Sequence, residues 1–122
     1  ASEFDAPGFI ERLGDRIHFA HLRNTKRISG DDPARPDFFE APHLEGDTDM
    51  VSTIRSLMAE QDRRKEQGRS DWEIPMRPDH GHLLGEEIGQ SNVNPGYSFS
   101  GRLKGLAELR GVIHALEQIR NQ

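Results

Sequence analysis

Two short polar clusters hold the side chains with which this chain could do chemistry. One is His21-Leu22-Arg23-Asn24 and the other is Arg77-Pro78-Asp79-His80-Gly81-His82. Together they offer imidazoles, a carboxylate and two guanidinium groups. Imidazole nitrogen combined with carboxylate oxygen is a donor set for Mn, Fe or Zn. Arginine forks suit a substrate that carries a carboxylate, through paired hydrogen bonds. A lone histidine at a strand end is more often structural than a ligand; what lifts the functional reading is that both clusters close predicted strands. His43 lies in a Pro/Gly-rich stretch and reads either way. Tyr97, the only tyrosine, follows Pro-Gly and reads as a turn anchor or a site residue. His80 and His82 form an H-x-H pair that also fits a metal hydrolase. His18 reads as a packing or surface residue and His114 as solvent-facing.

The elements that would position these groups follow from hydrophobic period and punctuation. Residues 5–14 read as a short helix, with Asp5 as cap, Pro7 in the first turn, Phe9, Ile10 and Leu13 as the apolar stripe and Gly14 at the end. Residues 16–24 alternate like a strand, which puts Phe19, His21 and Arg23 on one face. Residues 25–48 carry Gly30, Pro33, Pro36, Pro42 and Gly46 and read as one long loop. A helix follows over 49–67, with Met50, Ile54, Leu57 and Met58 as its stripe and Gly68 beyond it. The run Arg63-Arg64-Lys65 suits the negative end of that helix dipole and calls for no ligand. Residues 72–79 read as a second strand in which Pro75 and Pro78 restrict pairing. A polar loop over 80–100 leads to a last helix over 101–120 striped by Leu106, Leu109, Ile113 and Leu116.

Strands alternating with helices imply βα units and parallel pairing. Two parallel strands with flanking helices cannot cover both of their own faces, so the chain reads as one segment, residues 1–122, of a larger α/β barrel or doubly wound sheet. In a barrel, function gathers at the C-terminal ends of the strands, where both clusters fall. Composition narrows the classes further. The chain has 122 residues, a formal charge of −5, 33% apolar residues and no cysteine. That excludes a disulfide scaffold and a thiolate zinc site within the chain. No apolar run approaches the roughly 20 residues that span a bilayer. There is no signal-peptide pattern. An acidic balance with one Trp and one Tyr argues against general nucleic-acid binding. A cytoplasmic protein with no membrane and no nucleic-acid partner is the expectation.

The order of motifs goes beyond these generalities. H-L-R-N-T-K-R (residues 21–27), H-L-E-G-D-T-D-M (43–50), I-P-M-R-P-D-H-G-H (74–82), N-P-G-Y-S (94–98) and G-R-L-K-G-L-A-E-L-R-G (101–111) resemble the C-terminal part of the D-mannonate dehydratases. The resemblance implies a (β/α)8 TIM barrel of the sugar-isomerase-like kind, of which this chain would supply the last βα units. It implies dehydration of D-mannonate to 2-dehydro-3-deoxy-D-gluconate in hexuronate catabolism, with Mn²⁺, Fe²⁺ or another divalent metal. It makes His21 and Asp79 metal ligands, His80 and Tyr97 the catalytic acid/base pair, and Arg23, Asn24, Arg77 and His43 substrate-side residues. It also implies a Cys and a further His from earlier strands, which this chain lacks, so its metal site would be at most half complete and the isolated fragment inactive. Phe39 stands where such relatives carry His. The expected partners are the sugar-acid substrate, the N-terminal portion of the barrel and, through a cut sheet edge, further copies of the chain as a homo-oligomer. The competing functions are a metal-dependent sugar isomerase on the same barrel and a catalytically silent assembly module.

Overall fold

The computed structural model describes residues 4–28, 34, 37–79, 81–82, 88–91 and 98–121. The first helix, α1 (Ala6–Leu13), begins where Asp5 accepts from the Gly8 N–H at 3.0 Å and Pro7 occupies the first turn. Gly14 does not stop the chain outright. A single 3-10 turn runs over Gly14–Arg16, closed by the Ile17 N–H on the Gly14 carbonyl. This turn takes up the start of the expected first strand, and β1 covers only Ala20–Leu22. Its partner β4 (Met76–Pro78) is equally short. Pro75 limits the ladder at its start, since it has no N–H to donate and serves only through its carbonyl, which accepts from Ala20.

The two strands pair in parallel, with Ala20 opposite Met76, His21 opposite Arg77 and Leu22 opposite Pro78. Alternation then sorts the side chains. Ala20, Leu22 and Met76 turn toward the helices and join the core with Ile10, Ile54, Leu57, Ile74 and Leu109. His21 and Arg77 share the opposite face.

The long-loop expectation for residues 25–48 needs correcting. Thr25–Arg27 (β2) and Phe38–Glu40 (β3) form an antiparallel pair, extended at one end by the Ile28 N–H on the Asp37 carbonyl. The Pro and Gly signals that suggested a loop fall mainly between the two strands or after them. The flanking T-K-R-I and D-F-F-E segments were free to pair.

Helix α2 (Met50–Glu66) starts at Asp49, whose carboxylate accepts from the Ser52 N–H and hydroxyl. Those bonds hold the Asp49 carboxyl below the usual carboxylate range. All four members of its predicted stripe are buried. Gly68 adopts φ 73°, and the Arg69 N–H reaches back to the Arg64 carbonyl, which ends the helix in the left-handed turn that glycine favours. Helix α3 (Phe99–Arg120) starts two residues earlier than its apolar period suggests, because the Ser98 hydroxyl caps it by accepting from the Gly101 N–H. Of its predicted stripe, Leu109 and Leu116 are buried and Ile113 is partly buried, while Leu106 remains 38% exposed.

One charged residue is part of the core. Arg64 does more than complement a helix dipole. Its side chain is 1% exposed and its Nε sits 3.1 Å from the equally enclosed Glu60. Its guanidinium donates to the carbonyls of Gly14, Ile17 and Asp71, and so ties the end of α2 to the segments that enter β1 and β4. No described helix is long and apolar enough to cross a membrane.

Candidate active site

The parallel register brings the two polar clusters to one edge. His21 opposes Arg77 within the ladder, and Arg23 and Asp79 follow two residues later on the same face. There His21 Nε2 lies 3.1 Å from an oxygen of Asp79, and Arg23 Nε lies 3.7 Å from the other oxygen. His21 is half-exposed, whereas the Asp79 side chain is 12% exposed, so this carboxylate meets its partners with little water between them. Arg77 is exposed beside them.

Glu40, a residue that sequence reasoning passed over, enters from the hairpin. Its two oxygens take Arg23 in a bidentate grip, with Nε on Oε2 at 3.0 Å and the second bond from NH2 to Oε1. This hydrogen-bonded pairing holds the Arg23 guanidinium above its ordinary range. The backbone carbonyl of Glu40 lies 2.9 Å from His82 Nε2, so a single β3 residue touches the polar segments that follow both parallel strands. The guanidinium of Arg23 also stands 5.8 Å over the Phe38 ring. The signal for Glu40 was the F-F-E pattern, which was hidden once the whole stretch read as loop.

Asn24 and His43 lie beneath the edge rather than on it. Asn24 is 2% exposed. Its amide donates to the His43 and Thr48 carbonyls and accepts from the Thr25 and Thr48 N–H groups. Those four bonds use the side chain's hydrogen-bonding capacity on the backbone of the segment that leads to α2. His43 is 3% exposed, and its Nε2 accepts from the Asp79 N–H at 3.0 Å. Burial pushes the His43 imidazole below its ordinary pKa, against a smaller upward pull from its hydrogen bond to the Leu22 backbone. His80 and Tyr97 lie outside the described residues. His18 and His114 are exposed.

An imidazole nitrogen and a carboxylate oxygen about 3 Å apart suit two neighbouring donors of one divalent ion. His21 and Asp79 therefore fit as part of a metal shell, and only as part: among the described residues no three His, Cys, Asp or Glu side chains gather into a cation cluster.

Comparison with known proteins identifies the family. The profile of the D-mannonate dehydratase (UxuA) family matches residues 1–122. The chain belongs to the D-mannonate dehydratase family. It is 52% identical over 120 residues to a mannonate dehydratase of Saccharophagus degradans, an alignment that takes in 97% of this chain and 28% of the relative. It is 49% identical over 112 residues to a mannonate dehydratase of Rhizobium meliloti, and 50% identical over 112 residues to mannonate dehydratase 1 of Agrobacterium fabrum. Each of these two alignments takes in 92% of this chain and 27% of the relative. The chain thus spans little more than a quarter of the length of the curated relatives it matches.

Proposed function

We propose that this segment supplies part of the active site of a metal-dependent D-mannonate dehydratase, at the C-terminal ends of two neighbouring strands of a (β/α)8 barrel. The observation that carries this reading is the convergence of His21, Arg23, Arg77 and Asp79 on one face at the ends of parallel strands. Two features support the barrel. The described helices share one core with the Leu22 side of the sheet, as an outer helical layer would, while the opposite face carries polar groups. Among the described strands β1 pairs only with β4, and Phe4, Phe9, Ile17 and Phe19 line an apolar groove beside it. That is the edge at which the preceding barrel strand would be added.

In this reading His21 and Asp79 hold Mn²⁺, or Fe²⁺ in its place, together with donors from the remainder of the protein. The bound ion would offset negative charge that develops on the carboxylate side of the substrate. Arg77, together with the part of Arg23 that Glu40 leaves free, holds the substrate carboxylate, Glu40 fixing the Arg23 guanidinium through Nε and Nη2. Dehydration of a 2,3-dihydroxy acid removes the proton next to the carboxylate and expels the C3 hydroxyl as water. One group must accept the first proton and another must deliver a proton to the leaving oxygen. His80 and Tyr97 divide those two tasks. Two arginines at the edge favour this acid substrate over the neutral sugar of an isomerase.

Metal removal tests the reading. The full-length protein that contains this segment is expected to convert D-mannonate to a 2-keto-3-deoxy acid, to stop when stripped by a chelator, and to resume on addition of Mn²⁺. Its Asp79→Asn variant should need much more Mn²⁺ for recovery. Undiminished turnover by thoroughly stripped protein would sink the metal assignment.

A further inference from the structure

In a parallel pair the ladder bonds recur along each strand at every second residue. Here Ala20 donates to the Pro75 carbonyl, and Leu22 stands opposite Pro78. Carried forward, the pattern assigns the next rung to the Leu22 carbonyl and the Asp79 N–H. At that rung an imidazole enters. The Asp79 N–H donates to His43 Nε2 at 3.0 Å, and the same ring is hydrogen-bonded to the Leu22 backbone. His43 therefore touches both residues of the last rung, at the point where Asp79 leaves the sheet.

The ring is held there from two further directions. The His43 carbonyl accepts from Asn24 Nδ2 at 2.8 Å, which anchors the loop to the end of β1. On the other side α3 presses close: a Cβ added at Gly105 would stand 2.7 Å from ring atoms of His43. The residue is 3% exposed, with its ring walled by the Asp79 backbone and by Gly105.

We propose that His43 is a positioning residue for Asp79, a side-chain rung that closes the ladder and fixes where the Asp79 carboxylate points, with Asn24 and Gly105 holding it in place. This rests on the reading of Asp79 as a metal ligand. Both Asn24 and His43 then serve the site through the backbone rather than by touching substrate. Outer groups that orient ligands typically change metal affinity by about 10–100-fold when lost.

The test is Mn²⁺ affinity by calorimetry on the full-length protein, at a temperature where every variant is folded by circular dichroism. His43→Leu should weaken Mn²⁺ binding by about 10–100-fold. His43→Gln, whose amide oxygen can accept the Asp79 N–H, should recover most of that loss. Gly105→Ala keeps the imidazole and crowds it, and should weaken binding as well, which provides a decisive variant if His43→Leu does not fold. Wild-type affinity in His43→Leu or in Gly105→Ala, alongside a loss in Asp79→Asn, overturns the proposal and leaves Asp79 as a ligand. Wild-type affinity in Asp79→Asn overturns the ligand reading itself, and this proposal with it. A His43→Gln variant no better than His43→Leu also contradicts it, because the acceptor is the feature that matters.

Discussion

Replacing Arg64 with methionine in the full-length protein is expected to cost about 3–5 kcal/mol of folding stability, the range for removing one partner of a buried ion pair. The loss has two sources. Glu60 loses its Nε contact inside the core, although Arg63 still reaches its other oxygen at 2.7 Å. The carbonyls of Ile17 and Asp71 lose the guanidinium donor, and the buried Gly14 carbonyl keeps only the Ile17 N–H. Against a total of ~5–15 kcal/mol for an ordinary domain this is a large share, so a lower yield of soluble protein should accompany a lower urea midpoint. Arg64→Lys keeps the charge but has one ammonium for several separate acceptors, and should recover only part of the loss. Chemical denaturation checks both variants. A change below about 0.5 kcal/mol, the range of ordinary surface substitutions, would mean that the arginine is a bystander.

The second large effect belongs to His80 and Tyr97, proposed above as the acid/base pair. His80→Asn and Tyr97→Phe, each made in the full-length protein, are expected to lower kcat for D-mannonate by about 10²–10⁴-fold, the usual worth of one positioned proton-transfer group. Tyr97→Phe removes a single hydroxyl, so Mn²⁺ affinity should stay at the wild-type level while kcat falls. Separating the two readouts matters because His80 adjoins Asp79 in the chain. Single-turnover kinetics with direct detection of the keto acid measures the step itself. Wild-type kcat in either variant would remove that residue from the reaction.

Much of the positioning edge was legible in the sequence because it depends on period. Two-residue alternation placed Phe19, His21 and Arg23 on one face, and the structure sends Leu22 the other way into the core. Helical spacing identified Met50, Ile54, Leu57 and Met58, all of them buried. Strand lengths were overestimated because a ladder needs a partner as well as a suitable pattern, and Pro75 in the second strand limited what that partner could offer.

The residues that escaped are those whose roles depend on distant neighbours. Arg64 looks like any cation at a helix C-terminus until the carbonyl of Gly14, fifty residues away, arrives beside it. His43 reads as a loop histidine because nothing local says that Leu22 and Asp79 will come to meet it. Glu40 was lost inside a stretch whose Pro and Gly content drew attention to its turn and away from its strands. Asn24 sits in the right motif, yet its amide is spent on the loop backbone. In each case the local pattern was compatible with several roles, and long-range hydrogen bonds chose among them.

Whether this edge belongs to a sugar-acid dehydratase is decided by a comparison of two substrates. The full-length protein, loaded with Mn²⁺, would be offered D-mannonate and, separately, a neutral ketose of the same carbon number, with products followed by mass spectrometry. The expected result is loss of one water from D-mannonate with accumulation of the 2-keto-3-deoxy acid, and no change in the ketose. Isomerisation of the ketose with D-mannonate left intact would contradict it.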